Sequence, residues 1–399
     1  MANPWECANA KEWDSMTAKE WFDKICWCQS TKNTAAILTR TIYAVEPEDV
    51  SFLYFLWYLK VGHGFLRVMQ TEDGAQERKF EGGSQQICEK IADLIGKEKV
   101  VCNSPVIKLE QSEDGVIVRT SDGSTYQAKH VISALAPTLL GRIAFSPPLP
   151  PLKTQLIQRF PMGSVIKAIL FYENSYWSEN GYNGTVGSDV ILPSACDDTK
   201  PDGSYPAIVA FINGKHAREM TQLTKDERKR ILCEFFAEIF ESDEALRPVN
   251  YVEKNWLTEE FSGGCYVGVT PPGVLTQFGP VLREPYGRIY FAGTETATEW
   301  TGYMEGGVQA GERAAREVLH AVGKISKDEI WQDEPVSPDL PVMPLITTKW
   351  EKVLPSVPAF INFTIFSAIL CAGAIVVVKK PSLFDAIKTS LTNIATLQL

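Results

Sequence analysis

The sequence predicts an α/β protein of mixed α+β layers that ends in a transmembrane helix, and three observations carry that expectation. Apolar residues recur at helical spacing through the first eighty residues, short β-type runs joined by Asp-Gly turns take over beyond residue 105, and an uncharged run occupies positions 360–378. A length of 399 residues, 45% of them hydrophobic and 22% charged, suits two or three globular domains rather than a disordered chain. The 39 basic and 49 acidic residues leave a net charge of −10 with no Lys/Arg run of useful length, so no nucleic-acid partner is expected. The nine cysteines are scattered without a C-x-x-C pair, and the four histidines show no H-x-x-x-H spacing. Neither a disulfide framework nor a protein-ligated metal is signalled, and a reducing compartment fits.

Taken in chain order, Met1-Ala-Asn-Pro-Trp-Glu-Cys has neither a basic nor an apolar stretch, so no signal peptide is expected at this end. Asp14-Ser15-Met16-Thr17 is a helix-start pattern ahead of Trp21, Phe22, Ile25 and Cys26, and a second apolar block runs from Phe52 to Val61. Ser84 to Ile95 reads as a helix stopped by Gly96. Val106–Leu109, Val116–Arg119 and His130–Ala134, separated by Glu113-Asp114-Gly115 and Ser121-Asp122-Gly123, read as a three-stranded meander. The cluster Pro147-Pro148-Leu149-Pro150-Pro151 is a rigid crossing between domains. Beyond it, Val165–Tyr172 and Ala207–Ile212 read as buried strands and Lys225–Phe240 as an amphipathic helix. Phe360 to Val378 carries only Asn362, Thr364 and Ser367 as polar side chains and is closed by Lys379 and Lys380, the pattern of a membrane span.

The strand Arg288–Ala292 delivers Gly293-Thr294-Glu295 to its C-terminal end, and a helix with a glycine-rich start follows from Gly302. Backbone N–H groups at such a helix start suit a cofactor ring or a phosphate, although the same pattern also describes a tight strand-to-helix connection with packing glycines. Ser262-Gly263-Gly264-Cys265-Tyr266 and Trp300-Thr301-Gly302-Tyr303-Met304-Glu305-Gly306-Gly307 stand close by in the sequence.

The segments SGGCY, RIYFAGTETAT, WTGYMEGG and AGERAAREVL together resemble the flavin monoamine oxidases, and WDSMTAKE, FLWYLK, GAQERKFEGGS, FPMGSVIK, DDTKP, VEKNW, DEIWQDEP and LPSVP extend the likeness along essentially the whole chain. The resemblance implies the FAD/NAD(P)-binding two-domain flavin amine oxidase fold, here lacking the opening βαβ of the FAD domain, since no Gly-x-Gly-x-x-Gly turn occurs anywhere in the sequence. On that basis the substrate domain takes residues 1–80 and 157–258, and the FAD domain takes 81–156 and 259–321. An extended segment follows at 322–356, a transmembrane tail anchor at 357–380 and a short tail at 381–399.

The resemblance further implies oxidative deamination of arylalkyl amines by FAD, with hydride equivalents leaving the amine α-carbon and dioxygen reduced to hydrogen peroxide. Cys265 corresponds to the cysteine bonded to the flavin 8α carbon, Tyr266 and Tyr303 to the aromatic pair that flanks the amine, and Lys167 to the lysine that holds a water at flavin N5. A lysine inside an apolar strand is itself unusual, because an unpartnered buried ammonium costs several kcal/mol; the alternative is a strand-end lysine whose stem carries its ammonium out to solvent. Val106, Thr294, Glu295, Gly302, Met304 and Trp256 match cofactor-contact positions, and Phe211, Gln76 and Tyr58 match substrate-cavity positions. Ser194 stands at a usually larger cavity position, and Asn250 replaces a histidine of the mammalian members. Biogenic amines, O2, the lipid of the mitochondrial outer membrane and a second copy of the chain are the partners implied. A different function class is also open: a membrane-anchored fragment that holds no FAD and at most competes with a longer enzyme.

Overall fold

Thr17 starts the first amphipathic helix, Ala18–Ile25, with a capping box: its hydroxyl accepts from Glu20 N–H while the Glu20 carboxylate accepts from Thr17 N–H. The computed structural model describes residues 3–188, 191–192, 194–333 and 348–379, with the side chains at 351–352, 358 and 373–379 left aside. Two compact units result, Met1–Val342 and Met343–Leu399.

In the first unit, helices Gln29–Tyr43 and Phe52–Val61 follow the capped helix. The apolar run Phe52–Val61 turns its aromatic residues inward, where Tyr54, Trp57 and Tyr58 form one core with Tyr43, Val267 and Leu275. The strands are β1 (Val106–Gln111), β2 (Val116–Thr120), β3 (Thr125–Ala128), β4 (Val131–Ser133), β5 (Ala144–Ser146), β6 (Val165–Phe171), β7 (Val186–Gly187), β8 (Ser194–Asp197), β9 (Ala207–Asn213), β10 (Asn250–Asn255) and β11 (Ile289–Phe291).

The largest sheet runs β10-β6-β9-β8-β7, antiparallel throughout. Its alternate residues, Ile166, Ala168 and Leu170 on β6 and Ile208, Ala210 and Ile212 on β9, enter a core closed by Leu232 and Phe236 of helix Lys225–Ile239. The opposite face carries Lys167, paired in register with Phe211 on one side and Lys254 on the other. A smaller sheet has the order β3-β2-β1-β5, and β4 pairs in parallel with β11.

The meander differs from the sequence expectation. Its third strand is Thr125–Ala128, whereas Val131–Ser133 leaves the meander to lie parallel to β11. Asp122 explains the tight return: its carboxylate accepts from Ser124 N–H and from the Thr120 hydroxyl, so the chain reverses at once into a strand that is polar and largely exposed. Exposed Thr-Tyr-Gln-Ala carries no apolar alternation, which is why periodicity misses it. Helix Gln85–Ile95 ends at Gly96 as expected and buries none of its residues, with Leu94 left 86% exposed.

The second unit contains helices Lys349–Val353 and Val357–Lys379. The latter covers the apolar run, but among the described residues no helix is long and apolar enough to cross a membrane.

Candidate functional site

The segment around Cys265 is fixed by backbone pairing to the strand entry at Gly163. Cys265 N–H donates to the Gly163 carbonyl at 3.0 Å and Gly163 N–H donates to the Val267 carbonyl at 3.0 Å. Gly264 has φ +142°, and a Cβ there would lie 2.4 Å from the Gly163 oxygen, so the close approach excludes any other residue. The Cys265–Tyr266 peptide is cis. Tyr266 packs edge-to-face on Phe211 with ring centroids 6.4 Å apart, and the Lys167 ammonium lies 5.3 Å from the Phe211 centroid. Lys167, Phe211, Cys265 and Tyr266 therefore form one group on the open face of the large sheet.

Lys167 is exposed, so of the two readings the sequence leaves open it is the solvent-reaching one that holds. It lies on the odd-numbered side of β6, opposite the core residues Ile166 and Ala168, so the apolar run around it does not enclose it. Burial pushes the Cys265 thiol up to about 11, and the Lys167 ammonium opposes that shift.

A second group gathers at the start of helix Met304–Ala321. Tyr303 occupies its N-cap without a side-chain cap bond, so its aromatic ring takes the place of a capping oxygen. Thr294 builds the turn that leads there: its hydroxyl donates to the Tyr303 carbonyl at 2.8 Å and accepts from Gly302 N–H at 2.7 Å. Gly302 has φ +86°, and a Cβ on it would meet the Tyr58 hydroxyl at 2.7 Å. Tyr58 and Tyr303 stand 6.0 Å apart, Tyr303 meets Trp300 at 5.2 Å, and Tyr43 lies 4.7 Å behind Tyr58. Burial raises the phenol pKa of Tyr58 and Tyr303. These hydroxyls stay protonated and the wall they form is neutral.

Arg313 anchors this helix. It is buried, donates to the Phe291 carbonyl at 2.7 Å and to the Thr296 hydroxyl at 2.8 Å, and pairs with Glu317 at 3.0 Å. These bonds tie the middle of the helix to the end of β11 and to Thr296 in the connection that leads to Tyr303.

The remaining expected positions are spread more widely. Glu295 is buried, with its carboxyl pushed up by burial and restrained by backbone N–H groups; it accepts from Gly268 N–H at 3.2 Å. Tyr54 donates to the Gly268 carbonyl at 2.6 Å, so Glu295 and Tyr54 together hold the segment after Tyr266 in place. Met304 is 51% exposed at the first helical position. Trp256 follows β10, with the Lys254 ammonium 5.7 Å from its ring centroid. Gln76 lies in a loop and donates to the Val68 carbonyl at 3.1 Å. Val106 opens β1 in the smaller sheet, apart from both groups. Tyr43, Trp300 and Asn213 were not singled out by sequence reasoning. For Asn213 a signal existed, since a lone amide ends the apolar run of β9.

The flavin half of FAD fits these residues: a thiol beside an ammonium, neutral aromatic walls, and the uncapped start of an 18-residue helix whose N–H groups suit a negatively charged ring. No Gly-x-Gly-x-x-Gly turn for the pyrophosphate occurs in the sequence.

Comparison with known proteins agrees with this geometry. A family model described as flavin containing amine oxidoreductase matches residues 2–319. The flavin-containing amine oxidase of Oncorhynchus mykiss is 52% identical over 374 residues, which is 93% of this chain and 72% of that protein. Flavin-containing amine oxidase B of Homo sapiens is 51% identical over 372 residues, covering 92% of this chain and 71% of that protein. Among solved structures, cyclohexylamine oxidase from Brevibacterium oxydans superposes with a TM-score of 0.76 at 33% identity, over 80% of this chain and 70% of that one. Putrescine oxidase bound to putrescine gives 0.74 at 27% identity, over 80% and 71%. A family match across most of the chain, joined to identity above one half, makes this protein a member of the flavin-containing amine oxidoreductases.

Proposed function

We propose that this FAD-dependent amine oxidase acts on primary, and some secondary and tertiary, arylalkyl amines, releasing aldehyde and hydrogen peroxide. The observation that carries the reading is the meeting of Lys167, Phe211, Cys265 and Tyr266 on one sheet face, with Tyr58 and Tyr303 at the uncapped helix start. FAD, when bound, supplies the two-electron oxidant for the amine. Cys265 would hold it as an 8α-S-cysteinyl thioether; Thr294, Gly302, Met304 and Trp256 would line the ring, with Glu295 fixing the strand behind it and Val106 facing the adenine half. Tyr266 and Tyr303 orient the amine between two aromatic faces, and their dry, neutral surroundings favour the uncharged amine whose lone pair the reaction uses. Lys167 holds a water toward the reacting centre. Phe211, Gln76 and Tyr58 bound the substrate cavity.

We assign residues 1–80 and 157–258 to the substrate domain and 81–156 and 259–321 to the FAD domain. The segment 322–356 includes residues 334–347, which with the tail 381–399 lie outside the described residues, and we assign 357–380 as the anchor that places the catalytic part on the cytosolic side of the mitochondrial outer membrane. The uncharged run at 360–378, closed by Lys379 and Lys380, is the sequence feature behind this reading. A homodimer is part of the same proposal. The experiment is benzylamine-dependent peroxide release from the FAD-supplemented full chain: turnover in the wild type that Tyr266→Ala and Tyr303→Ala lower at least tenfold supports the assignment. Well-folded, flavin-free protein with no turnover would instead establish the silent-fragment reading.

A further inference from the structure

Asn213 is fully buried at the end of β9, after six apolar residues, in register with Val165 of β6. An amide in that place is costly unless its hydrogen bonds are made. Its Nδ2 lies 3.0 Å from the Arg40 carbonyl oxygen, in the last turn of helix Gln29–Tyr43, and 3.3 Å from the Tyr266 hydroxyl. A backbone carbonyl can only accept, so the nitrogen and not the oxygen of the amide must face the helix. That leaves the second hydrogen of Nδ2 for the phenolic oxygen of Tyr266. The Tyr266 O–H is then free to donate elsewhere.

Two residues earlier on the same strand, and therefore on the same face, Phe211 packs edge-to-face on the Tyr266 ring at 6.4 Å and 64°. One strand thus grips Tyr266 at two points, the ring through Phe211 and the hydroxyl through Asn213. Helix Gln29–Tyr43 accepts from the same Nδ2 through its Arg40 carbonyl, while Oδ1 has no hydrogen-bond partner among the described residues, and Tyr43 of that helix lies against Tyr58. The Asn213 hydrogen bonds therefore run from the Tyr266 side of the site to the helix that backs the Tyr303 side.

We infer that Asn213 is a positioning residue, setting the attitude of Tyr266 toward the amine through its hydroxyl. This rests on the reading of Tyr266 as a substrate-facing residue. A misplaced ring should cost roughly tenfold or more in kcat/KM, since small displacements of positioning groups are expensive.

The test is a double-mutant cycle in the FAD-loaded full chain, with Asn213→Leu, Tyr266→Phe and the pair, read by kcat/KM for benzylamine and by urea unfolding. Asn213→Ala serves as a second variant should leucine overpack the site. The expected result is that Asn213→Leu lowers kcat/KM roughly tenfold beside Tyr266 and has almost no effect in the Tyr266→Phe background. The unfolding equilibrium should show a coupling of about fivefold, the size of one net hydrogen bond. A merely structural Asn213 would carry its whole effect into the Tyr266→Phe background, and that result overturns the proposal. If Tyr266→Phe itself lowers kcat/KM yet no coupling is found, the positioning role fails while the site reading stands. If neither Tyr266→Phe nor Tyr266→Ala changes kcat/KM, the site reading fails and the positioning role with it.

Discussion

Gly302→Ala is the sharpest probe of the turn that presents Tyr303. A Cβ at this position would meet the Tyr58 hydroxyl oxygen at 2.7 Å, its Cε2 at 2.8 Å and its Cζ at 3.2 Å, with the backbone at φ +86°. An L residue in the left-handed region costs about 1–2 kcal/mol. Pushing a buried ring aside adds about 1–3 kcal/mol, because Tyr58 is 3% exposed and packed between Tyr43, Tyr54 and Tyr303. The sum, about 2–5 kcal/mol, corresponds to a shift of about 0.5–1.5 M in the urea midpoint if the slope is about 3–4 kcal/mol/M for a unit of this size. Tyr58→Phe removes the nearest of the three atoms, so it should restore part of the loss in the double variant. The assay is urea unfolding followed by tryptophan fluorescence, in parallel with benzylamine turnover. A Gly302→Ala protein with an unchanged midpoint, or a double variant whose losses simply add, would refute the clash as its cause.

Three further outcomes are expected. Arg313→Met should cost about 3–5 kcal/mol, since it leaves the partly buried Glu317 carboxylate without its guanidinium and the Phe291 carbonyl without its donor; thermal unfolding reads this directly. Lys153 is 3% exposed, with its ammonium brought down to about 7 by burial. The unfolded chain holds that proton until about pH 10, so it binds more protons than the native state above pH 7, and stability should rise as the pH goes from 6 to 8.5. Lys153→Met should flatten that rise in the urea midpoint, and an equally steep rise in the variant would contradict the assignment. The window stops at 8.5 because Cys265, pushed up to about 11, acts in the opposite sense at higher pH. Lys167→Met removes the ammonium that restrains the Cys265 thiol, so in protein produced without flavin, where that thiol is free, alkylation of Cys265 by iodoacetamide should become slower at any given pH below 9; an unchanged or faster rate would exclude the coupling.

Much of the architecture was legible because its signals are local. Thr17 with Glu20 and Thr224 with Glu227 are capping boxes written in consecutive residues, and Gly96 ends its helix as its chain position suggests. The meander was misread at Thr125–Ala128, where an exposed strand has no apolar period and is set only by the Asp122 turn and the ladder beside it. Whether Lys167 is buried or reaches solvent stayed open in the sequence, because a one-dimensional run of apolar neighbours does not reveal which face of a sheet is covered. The candidate residues were named by motif resemblance, but their grouping was not legible. Phe211 and Lys167 are 44 positions apart and meet only through strand register, and Tyr43 reaches Tyr58 through helix packing. Glu295 and Thr294 stand in one motif, yet the first braces the segment after Tyr266 while the second builds the Gly302 turn.

The account stands most directly on whether Cys265 carries the cofactor. The full chain, produced with FAD present, would be denatured, digested and measured by mass spectrometry for the peptide containing Cys265. The account predicts that this peptide bears a covalent flavin, that absorbance near 450 nm stays with the denatured protein, and that Cys265→Ala abolishes both. A cooperatively folded wild-type chain whose Cys265 peptide is recovered only as the free thiol would contradict it.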